Sequence, residues 1–252
     1  MSGSRIDQYL VNQGFFSSRT KAHLAIERQC VMLNGVLVTQ KSLIVMKNDE
    51  VVVLRPPSLY VGIGGEKLEP ALRKYLPAPG FSALDIGAST GGFTDCMLQH
   101  GAASVVAVDI GSGQLHPKIA SNPDVVALEN TDIRSFPANA LPKGLVDVIA
   151  IDVSFISLAA ILPVWSSFLK PDGLVFALLK PQFQMEKRIR MRGGIVKSSR
   201  ERDKILDDFA SIASASGFKL QEVFPTSADG KTKNIEFMLV FRYHAPTTYI
   251  HG

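Results

Sequence analysis

Phe81-Ser82-Ala83-Leu84-Asp85-Ile86 runs straight into Gly87-Ala88-Ser89-Thr90-Gly91-Gly92-Phe93. The first six residues read as a strand, and the next seven as a loop of small residues that opens a helix. Ligands of open α/β sheets sit at the carboxyl ends of the strands. Small residues let the backbone approach a ligand closely, and free N–H groups at a helix start favour an anionic group. A glycine-rich loop alone is weak support, because tight turns need glycine too.

Working outward, Asp109 closes the next strand, where a carboxylate can take both hydroxyls of a ribose. The loop is not Gly-x-Gly-x-x-Gly, which speaks against a nicotinamide enzyme. Asp85, just before the loop, suits a methyltransferase, whose acidic residue reaches toward the methionine end of its cofactor. Asp132, in Asn130-Thr131-Asp132 after the third strand, is either a partner for adenine or an ordinary loop carboxylate. The candidate cofactor set is therefore Asp85, Gly87, Ala88, Ser89, Gly91, Gly92, Phe93, Asp109 and Asp132.

Strands are expected near 82–86, 104–109, 125–129, 147–153 and 174–180, with helical patterns between them. Such alternation means a parallel sheet covered by helices. A helix near 199–216 precedes runs at 219–224 and 235–242, which suit an antiparallel pair at the sheet edge. The front of the chain differs. Residues 5–13 and 18–29 carry helical stripes, Ile6, Leu10 and Val11 on one and Ala22, Ala25 and Ile26 on the other. Val31 to Val38 reads as a hairpin turning at Asn34-Gly35, and a further strand at 50–54 stops at Pro56-Pro57-Ser58. That stop divides the chain into domains at 1–58 and 59–252.

At 252 residues and 46% hydrophobic, the chain can bury a sizeable core. It has no apolar run long enough for a membrane span, and its opening residues lack the apolar centre of a secretion signal, so a cytoplasmic location is expected. Cys30 and Cys96, each without neighbouring ligands, read as reduced, packed thiols, and no metal site is expected. Residues 1–58 hold seven Lys/Arg against four Asp/Glu, so the positive balance of the chain is concentrated there. A basic small domain suits a polyanion, though a solvated charged face is an equal reading of charge alone.

Asp85-Ile86-Gly87-Ala88-Ser89-Thr90-Gly91-Gly92-Phe93-Thr94-Asp95 resembles the signature of the TlyA family of rRNA methyltransferases, relatives of the FtsJ-type ribose methyltransferases. Val108-Asp109-Ile110-Gly111, Asp152-Val153-Ser154-Phe155-Ile156-Ser157-Leu158 and Leu179-Lys180-Pro181-Gln182-Phe183 resemble further segments of that family, in order. Arg5-Ile6-Asp7, Gly14-Phe15, Ser18-Arg19 and Asn34-Gly35 resemble the RNA-binding module named after the fourth small-subunit ribosomal protein, the S-four domain. The resemblance covers nearly the whole chain and departs from the family at a few places. Gly62-Ile63 stands where Ser-Arg is usual, Gln29 where glycine is common, Ser112 where an aromatic is common, and Pro117 at the next helix start.

The resemblance implies an α/β Rossmann-like methyltransferase domain behind a small α+β S-four domain, with S-adenosylmethionine as cofactor. It implies ribose 2′-O-methylation of a cytidine in 16S or 23S rRNA, within a ribosomal subunit. The Lys-Asp-Lys-Glu set of FtsJ-type enzymes falls on Lys67, Asp152, Lys180 and Glu236. On spacing alone, two ordinary ion pairs at strand ends would be the favoured reading of these four, and the resemblance reverses it. Lys180 is the candidate base, since a sugar hydroxyl must lose its proton and a neutral amine can take it. Asp152 would hold the lysine, and Lys67 with Glu236 would orient the hydroxyl. Arg5, Arg19, Lys21 and Arg28 in the front module, and Lys187, Arg188, Arg190 and Arg192 in a basic loop ending at Gly193-Gly194, are candidate phosphate contacts. Phe155 is a candidate base-stacking residue or plain packing. A non-catalytic RNA-binding scaffold is the main alternative, and a cytolysin, a label attached to some family members, finds no secretion signal or amphipathic basic helix here.

Overall fold

The computed structural model describes residues 3–16, 18–27, 29–54, 59–142, 144–185, 195–226 and 234–245, apart from the side chains of Lys21 and Leu24. Contacts divide the chain into two units, residues 1–59 and 60–252.

In the first unit, the two apolar stripes become helices α1 (Ile6–Asn12) and α2 (Arg19–Glu27). Ile6, Leu10, Ala22, Ala25 and Ile26 are fully buried together with Val31 and Val45. Strand β1 (Ser4–Arg5) pairs antiparallel with β4 (Ile44–Val45), and β2 (Val31–Leu33) pairs with both β3 (Val36–Leu37) and β5 (Val51–Val53). The β2–β3 turn uses positive φ at both Asn34 and Gly35, the geometry that favours Asn-Gly. Gln29 ends α2 at φ 54. Its N–H bonds to Ile26 O at 3.0 Å and Cys30 N–H to Ala25 O at 2.9 Å, a left-handed helix stop in which glycine is the unstrained residue.

The second unit is built on a seven-stranded sheet ordered β11-β12-β10-β9-β6-β7-β8. These strands are β6 (Ser82–Ile86), β7 (Ser104–Val108), β8 (Val125–Leu128), β9 (Val146–Ile151), β10 (Leu169–Leu179), β11 (Phe218–Pro225) and β12 (Phe237–Tyr243). β6 lies between β7 and β9, all parallel, so the first strand of the unit is central. Val148, Ile149, Ala150 and Ile151 are fully buried, as a strand covered on both faces must be. Helices α3 (Gly64–Lys74) and α4 (Gly92–Gln99) belong to one apolar layer with Phe176 and Val240. Trp165 packs edge-on against Phe218 in the other layer, which also takes in Phe209 of α5 (Ser199–Ala215). The order change around β6 creates the crevice in which such sheets hold ligands.

β12 runs antiparallel between β10 and β11, with Leu179 opposite Phe237. The antiparallel pair closes this side of the sheet as expected, with β12 interior and β11 outermost. Lys67, expected at the approach to the first helix, lies inside α3.

Candidate active site

The loop after β6 turns on two left-handed glycines, Gly87 at φ 83 and Gly91 at φ 88. A Cβ on Gly87 would lie 2.7 Å from the Asp152 carbonyl oxygen, so the loop and the end of β9 touch through bare backbone. The segment ahead of α3 closes on the same loop. A Cβ on Gly62 would meet Thr90 Oγ1 at 2.6 Å, so this segment lies directly against the loop. Val61 N–H donates to the buried Asp95 carboxylate at 2.8 Å, tying this segment to α4.

Asp85 is fully buried, and its Oδ2 accepts from Thr94 N–H at 2.9 Å and from Thr94 Oγ at 2.6 Å. Among the described residues, its Oδ1 has no hydrogen-bond partner. Burial pushes its carboxyl up to about 7, with the nearby Asp152 and Asp109 charges adding to the rise and the Thr94 bonds opposing it. Asp109 follows β7 and accepts from Ser89 N–H on Oδ2 and from Gly111 N–H on Oδ1, both at 2.7 Å. Each oxygen keeps a lone pair for a further donor.

A cleft of about 600 Å³ beside this loop is lined by residues that include Ile86, Gly87, Ser89, Asp109, Asp132 and Ile156. A second hollow of about 190 Å³ is lined by Gly64, Gly87, Ser89, Gly92, Asp152 and Lys180. The two share Gly87, Ser89, Asp152 and Ser154. Volume, apolar walls and the Asp109 acceptors fit a nucleoside-bearing cofactor, with the smaller hollow at its reactive end. Asp132 lines the larger cleft and is gripped by Arg134, whose Nε lies 2.9 Å from Oδ1. That bond holds the Asp132 carboxyl below its ordinary range.

Lys180 directly follows Leu179, the last paired residue of β10, and Glu236 directly precedes its partner Phe237. Lys67 Nζ, from α3, reaches Glu236 Oε2 at 2.7 Å. Lys180 is 7% exposed, its Nζ 2.6 Å from Asp152 Oδ1. That contact is ionic rather than directed, because Asp152 Oδ1 lacks a hydrogen bond of proper geometry. The directed bond from Lys180 Nζ goes to Ser154 Oγ at 2.7 Å. The four residues thus form two ion pairs at neighbouring strand ends. Phe155 is held at φ 66 and 85% exposed, its ring 5.2 Å from Phe183.

In the first unit, Arg5 and Arg19 both bond the fully buried Asp7, at 3.2 and 2.6 Å, while about half of each arginine side chain stays exposed. His23 Nε2 lies 2.9 Å from the same carboxylate. Burial raises the Asp7 carboxyl, but the His23, Arg19 and Arg5 bonds outweigh it and hold it well below the usual range. Arg28, Lys187, Arg188, Arg190 and Arg192 lie outside the described residues, as does the side chain of Lys21. Sequence reasoning missed Ser154, Thr94, Arg134 and Asp95. Of these, Thr94 and Asp95 end the signature-like stretch and Ser154 lies two residues beyond the candidate Asp152, whereas Arg134 carried no signal.

Residues 60–243 match the FtsJ-like methyltransferase model and residues 4–51 the S4 domain model. The chain belongs to the FtsJ-like methyltransferase family and carries an S4 domain ahead of the catalytic fold. It is 34% identical to the 16S/23S rRNA (cytidine-2'-O)-methyltransferase TlyA of Mycobacterium tuberculosis, over 95% of this chain and 90% of that one. It is 37% identical to Hemolysin A of Brachyspira hyodysenteriae, over 94% and 99% of the two chains. A solved structure from Streptococcus thermophilus, described as a candidate hemolysin, superposes with a TM-score of 0.73 at 34% identity, covering 97% of this chain and 90% of that one. Among the described residues, no helix is long and apolar enough to cross a membrane.

Proposed function

We propose that this enzyme methylates a ribose 2′-hydroxyl of ribosomal RNA, at a cytidine in 16S or 23S rRNA, on a ribosomal subunit in the cytoplasm. The observation that carries the reading is the pair of ion pairs, Lys180–Asp152, whose two residues line the smaller hollow, and Lys67–Glu236, which joins α3 to the start of β12. S-adenosylmethionine, when bound, supplies a methyl group already activated on a sulfonium. What remains for the protein is to align a hydroxyl and take its proton. Gly87, Ala88, Ser89, Gly91, Gly92 and Phe93 shape the cofactor's seat, Asp109 holds its ribose, Asp132 faces its adenine, and Asp85 braces the loop through Thr94. Lys180 receives the proton and Asp152 holds it in place. Lys67 and Glu236, paired to each other, orient the hydroxyl from the other side.

Arg5, Arg19, Lys21 and Arg28 of residues 1–58, and Lys187, Arg188, Arg190 and Arg192 of 59–252, take the phosphates. Phe155, exposed on a left-handed backbone at the mouth of the cleft, is placed to stack on the target base. The test is incubation with methyl-labelled S-adenosylmethionine and separate ribosomal subunits lacking the modification, followed by digestion to nucleosides. Label in 2′-O-methylcytidine, lost on Lys180→Ala by on the order of 10²-fold, is expected. Absence of label from both subunits, with cofactor still bound, refutes the substrate.

A further inference from the structure

We propose that Ser154 is a positioning residue for proton transfer, fixing the direction in which the Lys180 amine faces the cleft. The inference rests on the reading of Lys180 as the base. Asp152 sets where Nζ sits, but its contact at 2.6 Å lies off the hydrogen-bond line and leaves rotation about the Cε–Nζ bond open. Ser154 Oγ, at 2.7 Å, accepts the one directed hydrogen bond that Nζ makes among the described residues.

A neutral amine has two N–H groups and one lone pair at the corners of a tetrahedron. With one N–H committed to Ser154 and the second drawn toward the Asp152 charge, the lone pair is left to the remaining corner. Lys180 lines the smaller hollow, and Ser154 lines both hollows from an exposed position beside it. The hydroxyl proton leaves the ribose oxygen and binds that lone pair, turning amine into ammonium, whose added N–H points into the cleft. Without Ser154 the amine rotates, and only a fraction of its orientations face the hydroxyl.

The experiment compares Ser154→Ala, Ser154→Thr, Lys180→Ala and the parent enzyme. It measures cofactor affinity by calorimetry and single-turnover methylation of undermethylated ribosomal subunits across a pH series. Ser154→Ala should bind cofactor as the parent does, with its plateau rate lowered on the order of tenfold. Its rising pH limb should move to lower pH, because an acceptor that favours the ammonium is gone. Ser154→Thr should restore both. A parent-like rate and limb in Ser154→Ala, with Lys180→Ala inactive, overturns the inference alone. So does a lowered rate with an unmoved limb and no rescue by threonine, or a loss of cofactor affinity, since each makes the serine a structural or cofactor-wall residue. Parent-like methylation by Lys180→Ala overturns the base reading itself.

Discussion

Asp85→Asn should stabilise the cofactor-free protein increasingly as pH rises. In the folded chain, burial holds the Asp85 carboxyl near 7, against an ordinary value of 3.8. Between those values the unfolded chain has released its proton while the folded chain keeps it. The unfolded state therefore binds fewer protons, and stability falls as pH rises through that window. The loss begins near pH 4 and levels off above about 7, reaching about 4 kcal/mol at an order-of-magnitude level. Between pH 5 and pH 8 the change is about 2.5 kcal/mol by the same relation. Asparagine keeps an oxygen to accept the two Thr94 bonds and carries no charge to bury. Thermal melts of variant and parent at matched pH isolate this one group. The gap in Tm should widen by about 5–10 °C from pH 5 to pH 8 for a unit of this size. A gap that stays constant over that range would refute the reasoning, since it would mean that Asp85 ionises in the folded chain as it does in the unfolded one.

Gly87→Ala should lower cofactor affinity at least tenfold in calorimetry, because its Cβ meets the Asp152 carbonyl at 2.7 Å and its φ of 83 is strained for alanine; unchanged affinity would show that the loop has room to shift. Gln29→Gly should stabilise the first unit by about 0.5–1 kcal/mol, the relief of a left-handed glutamine less glycine's greater chain entropy, read as slower amide exchange along α2; faster exchange would contradict it.

The parallel strands were legible because each is a short, nearly unbroken apolar run between turn residues, and Val148 to Ile151 is buried on both faces as such runs require. The hairpin at Asn34-Gly35 was legible because few other residues accept two positive φ angles in a row. The two-residue strands at Ser4–Arg5 and Ile44–Val45 were not, since two residues show no period. Nor was the early start of β10, where a register shift between Leu169 and Leu174 spans Pro171 and the left-handed Asp172. At the site, spacing and resemblance named the charged residues and coupled Lys180 with Asp152 and Lys67 with Glu236, but not the other groups that brace them. That Arg134 grips Asp132, that Thr94 braces Asp85 and that Ser154 receives the Lys180 bond are outcomes of tertiary packing. Neither period nor composition encodes them.

The interior place of β12 bears on how the chain is made. β10 pairs with β9 on one side, but its other side waits for a strand that follows only after α5 and β11. Until residues 237–243 emerge during synthesis, Leu174-Val175-Phe176-Ala177-Leu178-Leu179 is an open, wholly apolar edge, the kind of surface on which chains associate. Nascent catalytic units are therefore most vulnerable to aggregation just before completion, and substitutions that weaken β12 should reduce soluble yield before they reduce the activity of the molecules that fold.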